Sequence, residues 1–282
     1  MLKPRVNVTE FMLESVDSVG HSFISIFTYT LQVLLMVYLS VRAAVYDQAQ
    51  GLRTVFSVVS AQVYFTGFQA LPLISVLALA TGAVCVLESM AQLQLLGQPS
   101  MVGNLLITII IREIGPLLTA LIVVARSGTA VATEIGNMRA NREIEALETM
   151  GINPLSYIVF PRLVGGTVSV ICLAFYYNIV ALFGGFLVAT FVKDMPFGFY
   201  SELLANAITL DDIGMFLLKN TFSGLIIFVV CCHQGLTVQQ SAHEVPAMTT
   251  KAVVNSIIYV VLFNLGVSMA FYIHQLKGWG LI

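Results

Sequence analysis

The chain has 282 residues, of which 58% are hydrophobic and only 10% are charged, with a mean hydropathy of +0.91. Because a soluble domain carries roughly 25% charged residues, this composition excludes a globular fold whose whole surface is exposed to water. The net charge of −2 and the lack of any basic run exclude nucleic-acid binding.

The N-terminal region, residues 1–50, predicts a helix that lies in the membrane surface. Residues 23–41 are apolar enough to span a bilayer, but polar residues recur at helical spacing up to Gln32, with apolar residues on the other faces. The stripe ends there, so the sequence leaves open whether residues 23–41 span the bilayer or lie in its interface. The polar stripe consists of Glu10, Glu14, Asp17, His21, Ser25, Thr28 and Gln32.

Residues 51–282 predict a transmembrane domain of five helices. Charged residues fall in clusters, and the apolar stretches between them reach the length of about 20 residues that a spanning helix needs. The predicted fold class is therefore an all-α integral membrane protein with five transmembrane helices and an N-terminal amphipathic interfacial helix. We place the spans near 67–95, 101–125, 157–190, 214–238 and 250–274.

The distribution of Lys and Arg predicts the orientation of these spans. With five spans, nine of the thirteen cationic residues fall on one side, three fall on the other, and Arg112 falls within a span. The three are Lys193, Lys219 and Lys277. The positive-inside rule makes the side with nine cytoplasmic, so the N-terminus is expected inside and the C-terminus outside.

The longest predicted cytoplasmic segment, 126–162, contains a short helix at about 139–151. Asn141 is a candidate N-cap, Gly151 suits the position after the helix, and Pro154 prevents its continuation. We expect Ile144, Leu147 and Met150 to share an apolar face among the charged residues Arg142, Glu143, Glu145 and Glu148. The helix is too short to span, so it is either a solvated connection or a coupling helix that docks in a groove of a cytoplasmic ATPase partner. In a docked helix we expect Ile144 and Leu147 to be the apolar anchors and the charged residues to form the rim.

Charged residues within the predicted spans are the second candidate site. Arg112 and Glu113 lie near the middle of the second span, and Glu88 lies deep in the first. A charge at the centre of a bilayer costs at least ~2.5 kcal/mol, so it usually faces a partner or a polar cavity. The sequence allows either a buried ion pair, with Glu88 or with another helix, or the polar lining of a substrate pathway.

Catalytic and metal-binding motifs do not occur in the sequence. There is no GxxxxGK[ST] nucleotide loop, no HExxH, no GxSxG, and the four cysteines lie in apolar stretches without a CxxC. The chain is therefore predicted not to be an enzyme and to hold neither a metal ion nor a cofactor.

Several motifs in fixed order resemble one family of transporter subunits. Glu145-Ala146-Leu147, followed by Gly151 and then Pro161, is similar to the EAA loop of bacterial ABC importer permeases. Over about 100–165 the chain resembles the MlaE (YrbE) family of ABC transporter permeases, and the likeness fades before residue 50. Its motifs are Arg112-Glu113-Ile114-Gly115-Pro116, Ala125-Arg126-Ser127-Gly128, Glu134-Ile135-Gly136, Met138-Arg139, Met150-Gly151-Ile152-Asn153-Pro154 and Pro161-Arg162.

This resemblance implies a homodimer in a bacterial inner membrane, with an MlaF-like ATPase below it and an MlaD-like periplasmic MCE protein above it. ATP and magnesium would be bound by the ATPase, and the cargo would be phospholipids or other hydrophobic lipids moving between the inner and outer membranes. The implied lipid cavity would be lined by Cys85, Leu93 and Leu96, with Arg112 and Glu113 nearby. Glu88 departs from the glutamine expected there.

Two other classes of function compete with this interpretation. A stand-alone secondary transporter or channel would use Arg112, Glu113 and Glu88 as an ion relay, but it predicts related halves or broken helices, which the sequence does not show. A membrane-embedded lipid-modifying enzyme predicts a nucleophile or a His/Asp constellation at the membrane face, and none is visible. The sequence does not indicate the particular lipid or the direction of transport.

Overall fold

The structure, a computed structural model, describes residues 8–46, 52–96, 102–239 and 241–278. All regular elements within these ranges are helical, which confirms the predicted class. A helix satisfies its backbone polar groups internally, as hydrocarbon requires. The helices are α1 (Val8–Tyr46), α2 (Leu52–Thr66), α3 (Leu71–Leu96), α4 (Val102–Leu106), α5 (Gly115–Val123), α6 (Thr129–Ala140), α7 (Glu143–Thr149), α8 (Phe160–Lys193), α9 (Phe197–Ala207), α10 (Leu210–Leu236) and α11 (Val245–Gly278).

Six helical segments in the described ranges are long and apolar enough to cross a membrane. Five of them correspond to the predicted spans, although several are longer than predicted. The first predicted span begins before residue 67, because α2 continues into α3 through a short 3-10 turn at Phe68–Ala70. The sixth is part of α1. The segments are Phe27–Tyr46, Phe56–Ala91, Gly103–Ala140, Leu155–Val192, Leu210–Leu236 and Ala242–Lys277.

The contacts of α1 favour the interfacial alternative for the N-terminal region. Gln234, near the end of α10, donates a hydrogen bond to the Tyr29 hydroxyl at 3.0 Å. Further along α1, Arg42 borders a cleft with Asn153, just before α8 begins. Because α8 and α10 are antiparallel, with Gly166 against Phe228, both contacts lie at the same end of the bundle. This part of α1 therefore runs along one end of the bundle rather than through it.

Four long helices form a row in which α3, α8, α10 and α11 are successive neighbours. The span Gly103–Ala140 packs across this row and contacts all four helices. Small residues allow the close approach that packing within a membrane requires. A Cβ at Gly166 would overlap the ring of Phe228, and one at Gly82 would overlap the backbone of Ala181.

Helix α9 is a short cap at the end of the bundle where α10 begins. It packs against α4 and α8. The Tyr200 hydroxyl donates a hydrogen bond to the carbonyl oxygen of Leu182 at 3.0 Å, and burial raises the pKa of this hydroxyl to about 12. Tyr200 thus fixes α9 against α8, on the side of the membrane opposite to α7.

Candidate functional site

Four charged side chains form two ion pairs inside the bundle. The Arg112 guanidinium contacts the Asp212 carboxylate, and Lys219 Nζ lies 3.1 Å from Glu113 Oε2. Arg112 and Glu113 belong to a π-helical turn, Ile107–Ile114, whereas both partners lie on α10. We call Arg112, Glu113, Asp212 and Lys219 the charged network.

Hydrogen bonds support each buried member of the charged network. Lys219 is fully buried, and its ammonium group donates to the carbonyl oxygen of Arg112 at 2.7 Å and to Ser268 Oγ at 2.8 Å. Asp212 Oδ2 accepts hydrogen bonds from the backbone nitrogen and the hydroxyl of Thr209, both at 2.8 Å. The first of these is one half of the capping box of α10, and the other half runs from the Asp212 backbone nitrogen to the Thr209 side chain. These bonds offset the cost of removing the charges from water, so the network ties the second span to α10 and α11.

The network answers the question that the sequence left open about Arg112 and Glu113. The two residues do not pair with each other but with α10, which agrees with the angle of about 100° between neighbouring side chains on a helix. Glu88 is exposed on α3 and forms no ion pair with any residue that the structure describes. Arg112 and Glu113 therefore form ion pairs with another helix and not with Glu88, and their role in a substrate pathway stays a prediction.

Lys219 corrects the count of cationic residues outside the membrane. The sequence prediction assigned it to the outer side, but the structure places it inside α10, which begins at Leu210 rather than near 214. The capping box at Thr209 and Asp212 is the sequence signal that would have located this helix start. Without Lys219 the outer count falls from three to two, which strengthens the charge asymmetry.

The remaining residues predicted to line a substrate pathway are not joined to the charged network. Cys85 is half-buried and packs against the core, and no hydrogen bond among the described residues links Cys85 or Glu88 to the network. The side chains of Leu93 and Leu96 lie outside the described part of the structure. The role of all six residues in lipid passage stays a prediction.

The predicted cytoplasmic helix is present as α7, with one corrected boundary. Asn141 ends α6 instead of capping α7, because Arg142 adopts a left-handed conformation (φ 60°) that turns the chain between the two helices. Gly151 (φ 75°) follows the helix as predicted, and its nitrogen donates to the carbonyl oxygen of Glu148 at 3.0 Å. Ile152 donates to the carbonyl oxygen of Leu147 at 3.0 Å, which completes a Schellman motif.

The apolar face of α7 points toward the protein, contrary to what we expected. Ile144 is only 2% exposed and Leu147 packs against the same core, whereas Met150 is 65% exposed. Short links on both sides of α7 hold it against the bundle, so Ile144 and Leu147 anchor the helix within the chain. The surface that α7 presents away from the bundle includes Met150 and the exposed residues Glu143, Ala146 and Glu148.

At the end of the bundle where α7 lies, an ion pair joins α6 and α8, the two helices on either side of α7 in the chain. Arg162, at the start of α8, lies 2.7 Å from Glu134 of α6. Arg139 of α6 also lies 3.9 Å from Glu145 of α7. An ion pair therefore joins α7 to α6, and α6 is joined in turn to the start of α8.

Long apolar helices joined by ion pairs define a polytopic membrane protein. The chain belongs to the MlaE permease family: the family described as Permease MlaE matches residues 59–270. This match confirms the family that the sequence motifs indicated. The chain is accordingly a membrane permease, and a transport subunit rather than an enzyme.

Individual relatives support the same assignment. A probable ABC transporter permease protein of Rickettsia bellii is 30% identical over 217 residues, which cover 77% of this chain and 84% of the relative. The intermembrane phospholipid transport system permease protein MlaE of Haemophilus influenzae is 27% identical over 210 residues, with coverages of 74% and 80%. A probable ABC transporter permease protein of Pyropia yezoensis is 26% identical over 217 residues, with coverages of 77% and 82%.

Proposed function

We propose that this chain is the membrane-spanning subunit of an ABC transporter that moves phospholipids or related hydrophobic lipids between the inner and outer membranes of a bacterium. The observation that carries this proposal is the family match over residues 59–270. The Haemophilus influenzae relative, whose name states phospholipid transport, supports the cargo class. Energy comes from a separate MlaF-like ATPase that binds ATP and magnesium.

The proposed assembly contains two copies of the chain in the inner membrane, with an MlaD-like MCE protein on the periplasmic side. The N-terminus is cytoplasmic and the C-terminus periplasmic. One face of α11 is apolar and exposed in the described part of the structure, as a surface against lipid or a second copy requires. Its exposed residues are Val254, Ile258, Leu262, Leu265 and Met269.

Coupling to the ATPase is assigned to the surface of α7. Met150, which directly follows the last residue of α7, is a large exposed apolar side chain, and Glu143 and Glu148 are exposed on the same helix. An apolar anchor with a charged rim suits insertion into a groove of another protein. Because α7 is bonded to α6 and linked to α8, movement of the ATPase would shift the second and third spans.

A stand-alone secondary transporter or channel is the second candidate, and the charged network is the observation that favours it. Intramembrane charges often mark ion pathways. Each member of this network, however, already has a partner of opposite charge, and Glu88 lies apart from it. A structural role, in which the ion pairs hold the helices together, agrees better with these contacts than an ion relay does.

The proposal is tested by purifying the tagged chain in mild detergent and identifying bound proteins and lipids by mass spectrometry. We expect an ATPase and phospholipid in the wild-type sample. Met150→Asp should weaken ATPase binding about thirtyfold, the equivalent of ~2 kcal/mol for an interface anchor, while phospholipid is retained. Glu148→Ala should have a smaller effect.

The matched control is Ala247→Asp, an exposed apolar position near the start of α11 on the same side of the membrane. It should retain the ATPase at the wild-type level. Equal retention of the ATPase by Met150→Asp and Ala247→Asp would show that α7 is only a connection. Absence of any ATPase from the wild-type sample would instead contradict the proposed transporter class.

A further inference from the structure

A polar cleft lies between α1 and the turn that joins α7 to α8. Its volume is about 460 Å³, within the usual size range of small-molecule sites. None of the residues that line it is acidic, and Arg42 forms no ion pair with any carboxylate in the described ranges. The cleft therefore contains a positive charge that no described side chain neutralises. The lining residues are Leu39, Arg42, Ala43, Tyr46, Asn153 and Leu155.

An apolar groove on the other side of α1 shows how this helix lies relative to the membrane. The groove has a volume of about 250 Å³, and its walls include Val37 of α1 with Leu163 and Val168 of α8. Val37 and Leu39 point about 160° apart on a helix, so the groove and the cleft lie on opposite sides of α1. Because the third span begins at residue 155, the groove lies deeper in the membrane and the polar cleft lies nearer to water.

Two hydrogen-bond donors of the cleft are held in place by their neighbours. The Arg42 guanidinium lies 5.8 Å from the centre of the Tyr46 ring, a cation–π contact. Asn153 Oδ1 accepts a hydrogen bond from the backbone nitrogen of Leu155 at 3.0 Å. The oxygen of this amide is thus used within the turn, and its Nδ2 group remains a donor. A guanidinium and an amide N–H group both suit the oxygens of a phosphate, which only accept hydrogen bonds.

We propose that this cleft binds the phosphate of an anionic glycerophospholipid from the leaflet on the α7 side of the membrane. Arg42 and the Asn153 amide donate hydrogen bonds to the phosphate oxygens. Basic pockets between helices at the cytoplasmic side of a membrane are suited to such headgroups. The lipid is a bound component of the protein rather than its cargo, so the proposal depends on neither the ATPase nor the direction of transport.

The surface beside the cleft favours a lipid over an acidic segment of a partner protein. Tyr38, Val41 and Val45 of α1 are all exposed next to Arg42. The acyl chains of a lipid bound at Arg42 would cover these apolar side chains, whereas a protein segment that reached Arg42 from water would leave them uncovered. Since Asn153 follows α7 closely, the bound lipid would also join α1 to the end of α7.

Photo-crosslinking tests the site in the purified transporter, with all subunits that co-purify, in nanodiscs of phosphatidylcholine. The probe is a constant small amount of phosphatidylglycerol with a diazirine near the glycerol backbone. We expect adducts on peptides that contain residues 38–46 and 153–155. Replacing part of the phosphatidylcholine with unlabelled phosphatidylglycerol should suppress these adducts, and inorganic phosphate in the buffer should not.

Two outcomes of the competition would overturn the proposal. Suppression by inorganic phosphate would assign the cleft to a free anion. Undiminished labelling in the presence of unlabelled phosphatidylglycerol would mean that the probe detects only lipid surrounding the protein. Labelling that appears only after the ATPase has been removed by a high-salt wash would likewise contradict the proposal, because a partner protein would then occupy the cleft in the transporter.

Arg42→Gln should lower the labelling about fivefold, the equivalent of ~1 kcal/mol for one basic residue at the membrane surface. Lys251→Gln is the matched control. It removes the same charge from an exposed position near the start of α11, at the same end of the bundle, but Lys251 does not line the cleft. An equal decrease in both variants would show a general attraction of anionic lipid to this side of the protein, and would overturn the proposal.

Asn153→Asp separates binding of phosphate from the structure of the turn. Aspartate keeps an oxygen that accepts the hydrogen bond from Leu155, but it replaces the amide donor with a negative charge that repels phosphate. Labelling should therefore fall at least fivefold, while the thermal midpoint in lipid-free detergent is unchanged. Full labelling of this variant would refute the contact between Asn153 and phosphate. The comparison of Arg42→Gln with Lys251→Gln decides the proposal if Asn153→Asp does not fold.

Discussion

Exposure distinguishes the two members of the Glu113–Lys219 pair. The Lys219 side chain is 0% exposed, whereas that of Glu113 is 37% exposed. Removing a partner is most costly for the charge that remains in the low-dielectric interior, because water cannot replace the lost attraction. The two single substitutions should therefore differ in effect, although they break the same ion pair.

Glu113→Gln should destabilise the protein by about 3 kcal/mol, because it leaves the buried ammonium of Lys219 without a counter-ion. Lys219→Met should cost less, since the remaining carboxylate of Glu113 is not enclosed by the protein. The double variant Glu113→Gln, Lys219→Met should recover most of the stability. Thermal midpoints and monodisperse yields in detergent measure all three. A double variant as unstable as Glu113→Gln would show that the ion pair is not the source of the loss.

At the scale of the element, the end of α7 depends on one backbone conformation. Gly151 has a φ of 75°, and a Cβ added there would meet no atom within 4 Å. A substitution at this position therefore tests conformational strain without steric overlap. Strain of this kind costs roughly 1–2 kcal/mol for residues other than glycine, and less for asparagine.

Gly151→Ala should loosen the end of α7 and reduce the amount of ATPase retained on the tagged chain. Gly151→Asn should have a smaller effect, because asparagine enters the left-handed region more readily than alanine does. Hydrogen exchange of the backbone amides of Gly151 and Ile152 measures the loosening directly, since both nitrogens donate in the Schellman motif. Identical exchange in the alanine and asparagine variants would refute the role assigned to the positive φ.

Topology is a property of the whole molecule. Asn141 and Asp211 are both exposed, and they lie at opposite ends of the bundle, beside α7 and at the start of α10. The excess of cationic residues near α7 predicts that this end lies in the cytoplasm. Orientation in turn decides which surface can meet an ATPase and which can meet a periplasmic partner.

A single cysteine at Asp211 should react with a membrane-impermeant maleimide added to intact spheroplasts, and one at Asn141 should react only after the membrane is opened. The four native cysteines are first replaced so that each labelling event reports one site. The reverse pattern of labelling would overturn the proposed orientation and the assignment of α7 to an ATPase.

The sequence by itself determined the membrane class, the five main spans and the family. These features depend on composition, on the length of apolar stretches and on motifs close together in the chain. It also determined the end of α7, because Gly151 and Pro154 act on the local backbone. The start of α10 was locally encoded as well, by the capping box of Thr209 and Asp212, although we had placed it later.

Only the tertiary structure decided the partners of Arg112 and Glu113, which lie about one hundred residues away on α10. It also decided the direction in which α7 faces. Helical spacing placed Ile144 and Leu147 on one side, but spacing does not show whether that side meets the bundle or a partner protein. The position of α1 likewise depends on how helices distant in sequence pack, because burial is a property of the neighbours of a residue and not of the residue itself.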